Sequence, residues 1–337
     1  MAEKVLSPTE MKVIGLLDIN ARARFRQIAR TVRKSEQNVS YTVNSLLKKG
    51  VIKGFQTLID YSRLSVLNFR VYFSVNYISE ERFENLKNFL INDPHSLWVV
   101  SCGSRYDVLC TFAFRNPSQF NKHLRSIMSR FAHQINSYSV LTTIVIRSMN
   151  RKYMLGRCRK CSVRIIGGDR EAYDLPQKDI ALLAEIADDA RKGSVELARS
   201  LSCDPRTVMK RIKELQDMEV IKGFRVLLDT KRTSLVKNIL LVRYHNISVE
   251  DEQTLISYLD AHPNVVCVTK TLGEWDLEIS IEAKSVFEFR QIERQIRSKF
   301  PTIIHTAETV PIYSEHKMTF FPRFLAANGR QGKYLYV

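Results

Sequence analysis

The chain has 337 residues, with 52 Lys+Arg against 35 Asp+Glu and a formal net charge of +17. Its 45% hydrophobic and 26% charged residues, with only 12 Gly and 9 Pro, exclude collagen-like and low-complexity disordered classes, and the length fits about two domains. The excess of cations fits an anionic partner, which means nucleic acid or an acidic membrane surface. A membrane span is not expected, because the longest apolar runs, such as residues 239–242, fall far short of the roughly 20 residues a bilayer requires. MAEKVLSPTE lacks the apolar stretch of a secretory signal, and the six cysteines are scattered; a reduced, cytoplasmic protein is expected.

In chain order, Ser7-Pro8-Thr9-Glu10 predicts a helix start, with a capping hydroxyl, a first-turn proline and a Glu three residues after the cap. Met11, Ile14 and Leu17 follow at helical spacing. A second short helix covers 25–32, with Phe25, Ile28, Ala29 and Val32 inward. A third follows Ser35, with Val39, Val43, Leu46 and Leu47 as its buried stripe and Gly50 as its left-handed stop. Three such helices and the strand-like VIKGF at 51–55 read as a winged helix-turn-helix. The rhythm then changes: strand 69–77, helix 80–91, strands 98–102 and 107–114 joined at Gly103-Ser104-Arg105-Tyr106, helix 117–131 and strand 139–146. That order, βαββαβ, is the ferredoxin-like arrangement.

The pattern then repeats. VIKGF at 51 recurs at 220, a 169-residue offset that also carries Ala29 to Ala198, Asp60 to Asp229, Pro94 to Pro263 and Asp107 to Asp276. The fold class is therefore α+β: two copies of a winged helix-turn-helix followed by a βαββαβ domain. The boundaries fall at 1–60 and 61–150 for the first copy, 174–229 and 230–322 for the second. Residues 151–173 read as a basic linker that could extend to about 80 Å and leave the halves loosely placed. Residues 323–337, with Arg323, Arg330 and Lys333, read as a basic, loosely ordered tail.

In this order and spacing, with the strand ending in Asp60 or Asp229 and the glycine-bearing hairpin, the chain resembles the Lrp/AsnC (feast/famine) family of transcriptional regulators. The resemblance covers almost the whole chain twice, and the tandem fusion and basic linker depart from the family's single unit. It implies duplex DNA as partner and a small effector, commonly an amino acid, at interfaces between βαββαβ domains. The positions that match the effector region are Gly103, Tyr106 and Asp107, and Gly273, Trp275 and Asp276. A turn glycine admits a ligand closely and a carboxylate suits an ammonium group; equally, Gly and Asp can simply make a tight hairpin with Tyr106 and Trp275 packed on the sheet.

In a helix-turn-helix the third helix enters the major groove. In the second copy its outward residues are Arg206, Thr207, Lys210, Arg211 and Lys213, suited to guanine edges and phosphates, or else solubilising charges on a surface helix. In the first copy they are Gln37, Asn38, Ser40, Tyr41, Asn44 and Lys48, where amides suit adenine, preceded by Arg22, Arg24, Arg26, Arg30, Arg33 and Lys34 along the phosphate path. Either the first head reads sequence while other groups supply charge, or it has lost strong binding. The two βαββαβ sheets can pair within one chain as an internal pseudo-dimer, or between chains as a homo-oligomer.

No cofactor, metal or catalytic residue is expected. Cys158-Arg159-Lys160-Cys161 is a lone CxxC, short of the four ligands of a zinc site. The histidines show no metal spacing, and His95 and His262 read as loop polars beside Pro94 and Pro263. Two alternatives to a sequence-specific regulator stand. One is a tetrapyrrole enzyme resembling the siroheme decarboxylases, with its substrate in a cleft between heads and sheets; the other is a nonspecific architectural DNA binder.

Overall fold

The computed structural model describes residues 6–76, 79–156 and 162–327. The first unit opens with α1 (Pro8–Ile19), α2 (Phe25–Val32) and α3 (Glu36–Lys48), followed by β1 (Ile52–Ile59). The expected capping box closes α1: Glu10 N donates to Ser7 Oγ at 3.3 Å and Ser7 N to Glu10 Oε2 at 2.9 Å. Next come β2 (Leu67–Val75), α4 (Glu80–Asn92), β3 (Ser96–Cys102), β4 (Val108–Phe114), α5 (Pro117–Arg130) and β5 (Ile135–Met149), and then β6 (Val163–Gly167). The second unit repeats the pattern with α6 (Gln177–Ala187), α7 (Ser194–Ser200), α8 (Pro205–Asp217), β7 (Ile221–Leu228), β8 (Val236–Tyr244), α9 (Val249–Ala261), β9 (Val265–Leu272), β10 (Leu277–Ala283), α10 (Val286–Lys299) and β11 (Ile304–Met318), ending in the short α11 (Phe324–Ala327).

The two heads are welded to each other. β1 pairs antiparallel with β7, Phe55 opposite Val226 and Thr57 opposite Phe224, so each VIKGF strand finds its partner in the other head. Flanking bonds repeat with the offset of the duplication. Ala21 N donates to Phe224 O (3.0 Å) as Ala190 N does to Phe55 O (2.7 Å), and Asp60 N to Val220 O as Asp229 N does to Val51 O, both at 2.9 Å. Leu17, Leu46 and Leu58 share one core with Leu183, Leu215 and Leu228. Leu47, expected inward, is 36% exposed, because it sits one residue past Leu46 and turns off the buried stripe; Val195, in the first turn of α7, is 63% exposed.

The βαββαβ sheets close on each other as a barrel. The strand order is β2-β4-β3-β11-β8-β10-β9-β5, and β5 pairs back to β2. The closing strands are the long ones. β5 pairs with β2 through Thr142 and then with β9 from there to Ser148; β11 leaves β8 at Ile312 and continues along β3 to Met318. This exchange consumes the sheet edges that would otherwise template aggregation. Alternation sorts the side chains: Phe69, Val71 and Phe73 face the helices outside, while Arg70 and Tyr72 point inward with Leu109, Leu141, Ile239 and Leu241. The structure thus contains the internal pseudo-dimer.

Two expectations are corrected. The described residues after 150 form no loose tether: Arg151 and Met154 are buried, β6 pairs with β5 (Met149 opposite Val163), and a Cβ on Gly15 of α1 would meet the Leu155 side chain at 2.7 Å. Among the described basic residues there, Arg151 pairs with buried Asp18 and Glu282 and Arg170 with buried Asp60, a role that composition does not reveal. The tail is docked as far as 327, with Phe321, Phe324 and Leu325 buried; Arg330 and Lys333 lie outside the described residues, as do Cys158 and Cys161.

Candidate nucleic-acid interface

Each third helix is fixed from beneath and free above. Val39, Val43 and Leu46 hold α3, and Val208, Ile212 and Leu215 hold α8. Both starts are capped, by Ser35 Oγ accepting from Asn38 N (3.1 Å) and Asp204 Oδ1 accepting from Arg206 N (2.7 Å). On α3, Gln37, Asn38, Asn44 and Lys48 are exposed, Tyr41 is 75% exposed and Ser40 is half-buried. On α8, Arg206, Thr207, Lys210 and Lys213 are exposed.

Arg211 departs from the expectation. Its guanidinium is ion-paired with Asp179 of α6 and with Glu214 (2.6 Å), which ties α8 to α6 and holds the group away from any groove. Arg22 is also diverted, donating to Ala190 O at 2.6 Å and lying over the Phe224 ring. Arg24, Arg26, Arg30, Arg33 and Lys34 remain exposed. Met209, 50% exposed on the outer face of α8, escaped the sequence reading; its place beside Lys210 and one turn before Lys213 is the signal that could have found it.

Superposing the copies by their offset shows a division of labour. Gln37, Tyr41 and Asn44 stand where the second head has Arg206, Lys210 and Lys213, while Arg24, Arg26 and Arg33 stand where it has Gly193, Val195 and Ser202. The first head carries amides on its third helix and cations on its second; the other carries its cations on the third.

The six hairpin residues expected near an effector are engaged by contacts within the barrel. Asp107 Oδ2 accepts from Val75 N (2.7 Å) and Asp276 Oδ2 from Tyr244 N (2.8 Å), so each carboxylate braces the end of the first strand of its own sheet. Tyr106 and Trp275 are buried in the barrel. Gly103 faces the Tyr313 ring, and Gly273, at φ +149, faces Val140 O, where a Cβ would come within 2.8 Å. What converges there is Glu274: its carboxylate accepts from Arg105 Nη1 (2.7 Å), Ser139 Oγ (2.8 Å) and Tyr106 OH (3.4 Å) across the two units. Burial raises the Glu274 pKa, but the bonds from Ser139 and Arg105 outweigh it and hold the group below the usual glutamate range.

Between heads and barrel lies a buried layer of charge. Arg151 donates to Asp18 Oδ1 (2.8 Å) and Glu282 Oε2 (2.8 Å), Arg225 pairs with Asp18 (3.1 Å), Lys237 with Glu315 (2.9 Å) and Arg70 with Glu278. Burial would raise the Asp18 and Glu282 carboxyls, but the adjacent guanidiniums hold both below normal; at Glu278 burial outweighs Arg70 and the pKa rises. Among the described residues, one cavity in this layer has a volume of about 70 Å³.

The winged helix-turn-helix DNA-binding family matches residues 6–53 and 175–222. An uncharacterized HTH-type transcriptional regulator of Pyrococcus furiosus is 29% identical over 129 residues, 38% of this chain and 83% of that protein. LrpC, an HTH-type transcriptional regulator of Bacillus subtilis, is 24% identical over 112 residues, 33% of this chain and 76% of its own. The crystal structure of the siroheme decarboxylase NirDL matches at full length, with a TM-score of 0.60, 12% identity and coverage of 94% of this chain and 97% of that one. It shares the tandem fold. No helix among the described residues is long and apolar enough to cross a membrane.

Proposed function

The chain is a tandem pair of Lrp/AsnC-type units, and on that premise we propose that it is a sequence-specific regulator of transcription, acting on duplex DNA in the cytoplasm. The observation that carries this reading is the pair of outward faces on α3 and α8, packed from below, capped, and bearing Gln37, Asn38, Tyr41 and Asn44 on one and Arg206, Thr207, Lys210 and Lys213 on the other. Amides in a major groove suit adenine and guanidiniums suit guanine, while Lys and the exposed arginines of α2 neutralise phosphate. Unequal faces imply unequal half-sites. Duplex binding should weaken with salt, log affinity falling about 0.9 per phosphate contacted per log unit, and Arg206→Ala with Lys210→Ala should reduce that slope by about two if both groups touch phosphate. Unchanged affinity and slope would reject α8 as a reading head.

A small-molecule response belongs to the same reading. Its place is the corner where Arg105, Tyr106 and Ser139 hold Glu274, because the carboxylate of an amino acid offers the same acceptors and would compete with Glu274. A thermal-shift screen of amino acids, repeated on Glu274→Gln, checks it: the variant should shift more strongly with the same ligand.

A tetrapyrrole enzyme is the second reading, favoured by the full-length likeness to NirDL. Its cleft between heads and barrel would need the volume of a drug-sized pocket, about 300–1,000 Å³. The cavity described in that layer has about 70 Å³, and Arg70, Arg151, Arg225 and Lys237 are already engaged by acids. An absorbance titration with a porphyrin decides it: a shifted band at one equivalent would favour the enzyme, and an unshifted band the regulator.

A further inference from the structure

The first unit carries a side-chain cluster that the second lacks. Asp93 and His95 lie in the turn between α4 and β3, and His123 projects from α5. Their donor atoms all lie within 4.8 Å of one another. His95 Nδ1 is 3.3 Å from Asp93 Oδ1, and His123 Nε2 is 2.5 Å from Asp93 Oδ2. Asp93 is buried, while both imidazoles are half-buried and border a cleft of about 840 Å³ between α4 and α5.

The donors are held in place. His95 N donates to Asp93 Oδ1 (2.8 Å), and the His95 ring is stacked between Phe114 and Phe324, with centroids 4.3 and 4.8 Å away. Phe324 N in turn bonds to Pro94 O. The neighbouring cations are turned elsewhere: Lys317 Nζ donates to Ile91 O, Asp93 O and Ser96 Oγ, each at 2.9 Å, and Arg130 lies over the Phe89 ring.

The fold does not require this trio. At the equivalent positions the second unit has His262, Asn264 and Ile292, and the turn is kept with one acceptor, Asn264 N donating to His262 Nδ1 at 3.2 Å. We propose that Asp93, His95 and His123 form a three-ligand site for a divalent transition-metal ion of the zinc class, its remaining coordination position facing the α4–α5 cleft. Two imidazoles and one carboxylate match a borderline ion, whereas calcium and magnesium take oxygen sets. Ligand atoms about 2.0–2.1 Å from a tetrahedral ion stand roughly 3.3 Å apart, so binding asks donors that now lie within 4.8 Å of one another to shift by no more than about 1.5 Å. The cluster has no signature in the sequence because the histidines sit on separate elements, 28 positions apart, with no local spacing to betray them.

The test is calorimetric titration of the chelator-treated full chain with Zn²⁺. One ion per chain should bind at this site. Affinity should drop by more than about 100-fold in His123→Ile, which copies the second unit's Ile292, since loss of an outer-shell partner alone costs about 10–100-fold. Asp93→Asn, which keeps an acceptor for His95 N, should lose binding likewise and decides the matter if His123→Ile does not fold. Cys158→Ser with Cys161→Ser should leave this binding intact. No binding to the parent chain, undiminished binding in the folded ligand variants, or loss only in the cysteine variant would overturn the assignment.

Discussion

Arg151 and Asp18 meet at 2.8 Å across the boundary between the first head and the join of the two units, and the same guanidinium reaches Glu282 on β10 of the second. One side chain thus ties the first head, the first barrel sheet and the second barrel sheet together. Its two acids are fully buried, so the bond must be kept whole or be replaced whole.

Arg151→Met should therefore destabilise the chain by about 3–5 kcal/mol, the usual consequence of leaving a buried charge without its partner. Urea unfolding measures it. Pairing the change with Glu282→Gln should recover part of the loss, because one of the two stranded carboxylates is then removed.

The two hairpin glycines should respond differently to alanine. Gly273→Ala places a Cβ 2.8 Å from Val140 O at a φ of +149, and should cost about 1–3 kcal/mol. At Gly103 the atoms nearest an added Cβ all belong to the Tyr313 side chain, which is largely exposed and can swing aside, so Gly103→Ala should lower the melting temperature far less. Thermal melts of both variants check the contrast.

Arg211→Ala separates structure from recognition on α8. Because Arg211 is engaged by Asp179 and Glu214, its loss should lower stability while leaving the salt slope of DNA binding in place. Lys210→Ala should do the reverse, as its contact with Glu214, at 3.8 Å, is an exposed pair worth little.

Acid should weaken the fold in two stages. Burial, reinforced by Lys152, lowers the His262 pKa, and burial with nearby lysines lowers that of His316. A folded pKa below the unfolded one means that stability is present above the ordinary histidine range, near 6.5, and is lost as pH falls through the folded values. The carboxyls of Asp18 and Glu282, depressed in the fold, add a further loss below about pH 4. His262→Asn keeps an acceptor for Asn264 N, as Asp93 does for His95 N, and should flatten the first stage in melts between pH 8 and 5.5.

The duplication, the capped helices and the βαββαβ order were all legible in the chain, because capping boxes, buried stripes and strand alternation are local signals. The closure of the barrel was not. β5 and β11 run on to Met149 and Met318 because their ends pair with the other unit, and nothing inside either strand announces that partner. The same limit explains Arg211 and Arg151, whose partners Asp179, Asp18 and Glu282 lie far away in sequence, and the Asp93, His95 and His123 cluster, assembled from a turn and a helix. An exposed helix face, by contrast, follows from its own period, so Gln37, Asn38, Arg206 and Lys210 stand at the surface as expected.

Selection of bound duplexes from a random pool tests the central claim most directly. The account predicts enrichment of one site with two unlike halves, and loss of the half assigned to α8 when Arg206 and Lys210 are replaced by alanine. A pool that stays random after repeated rounds would contradict it.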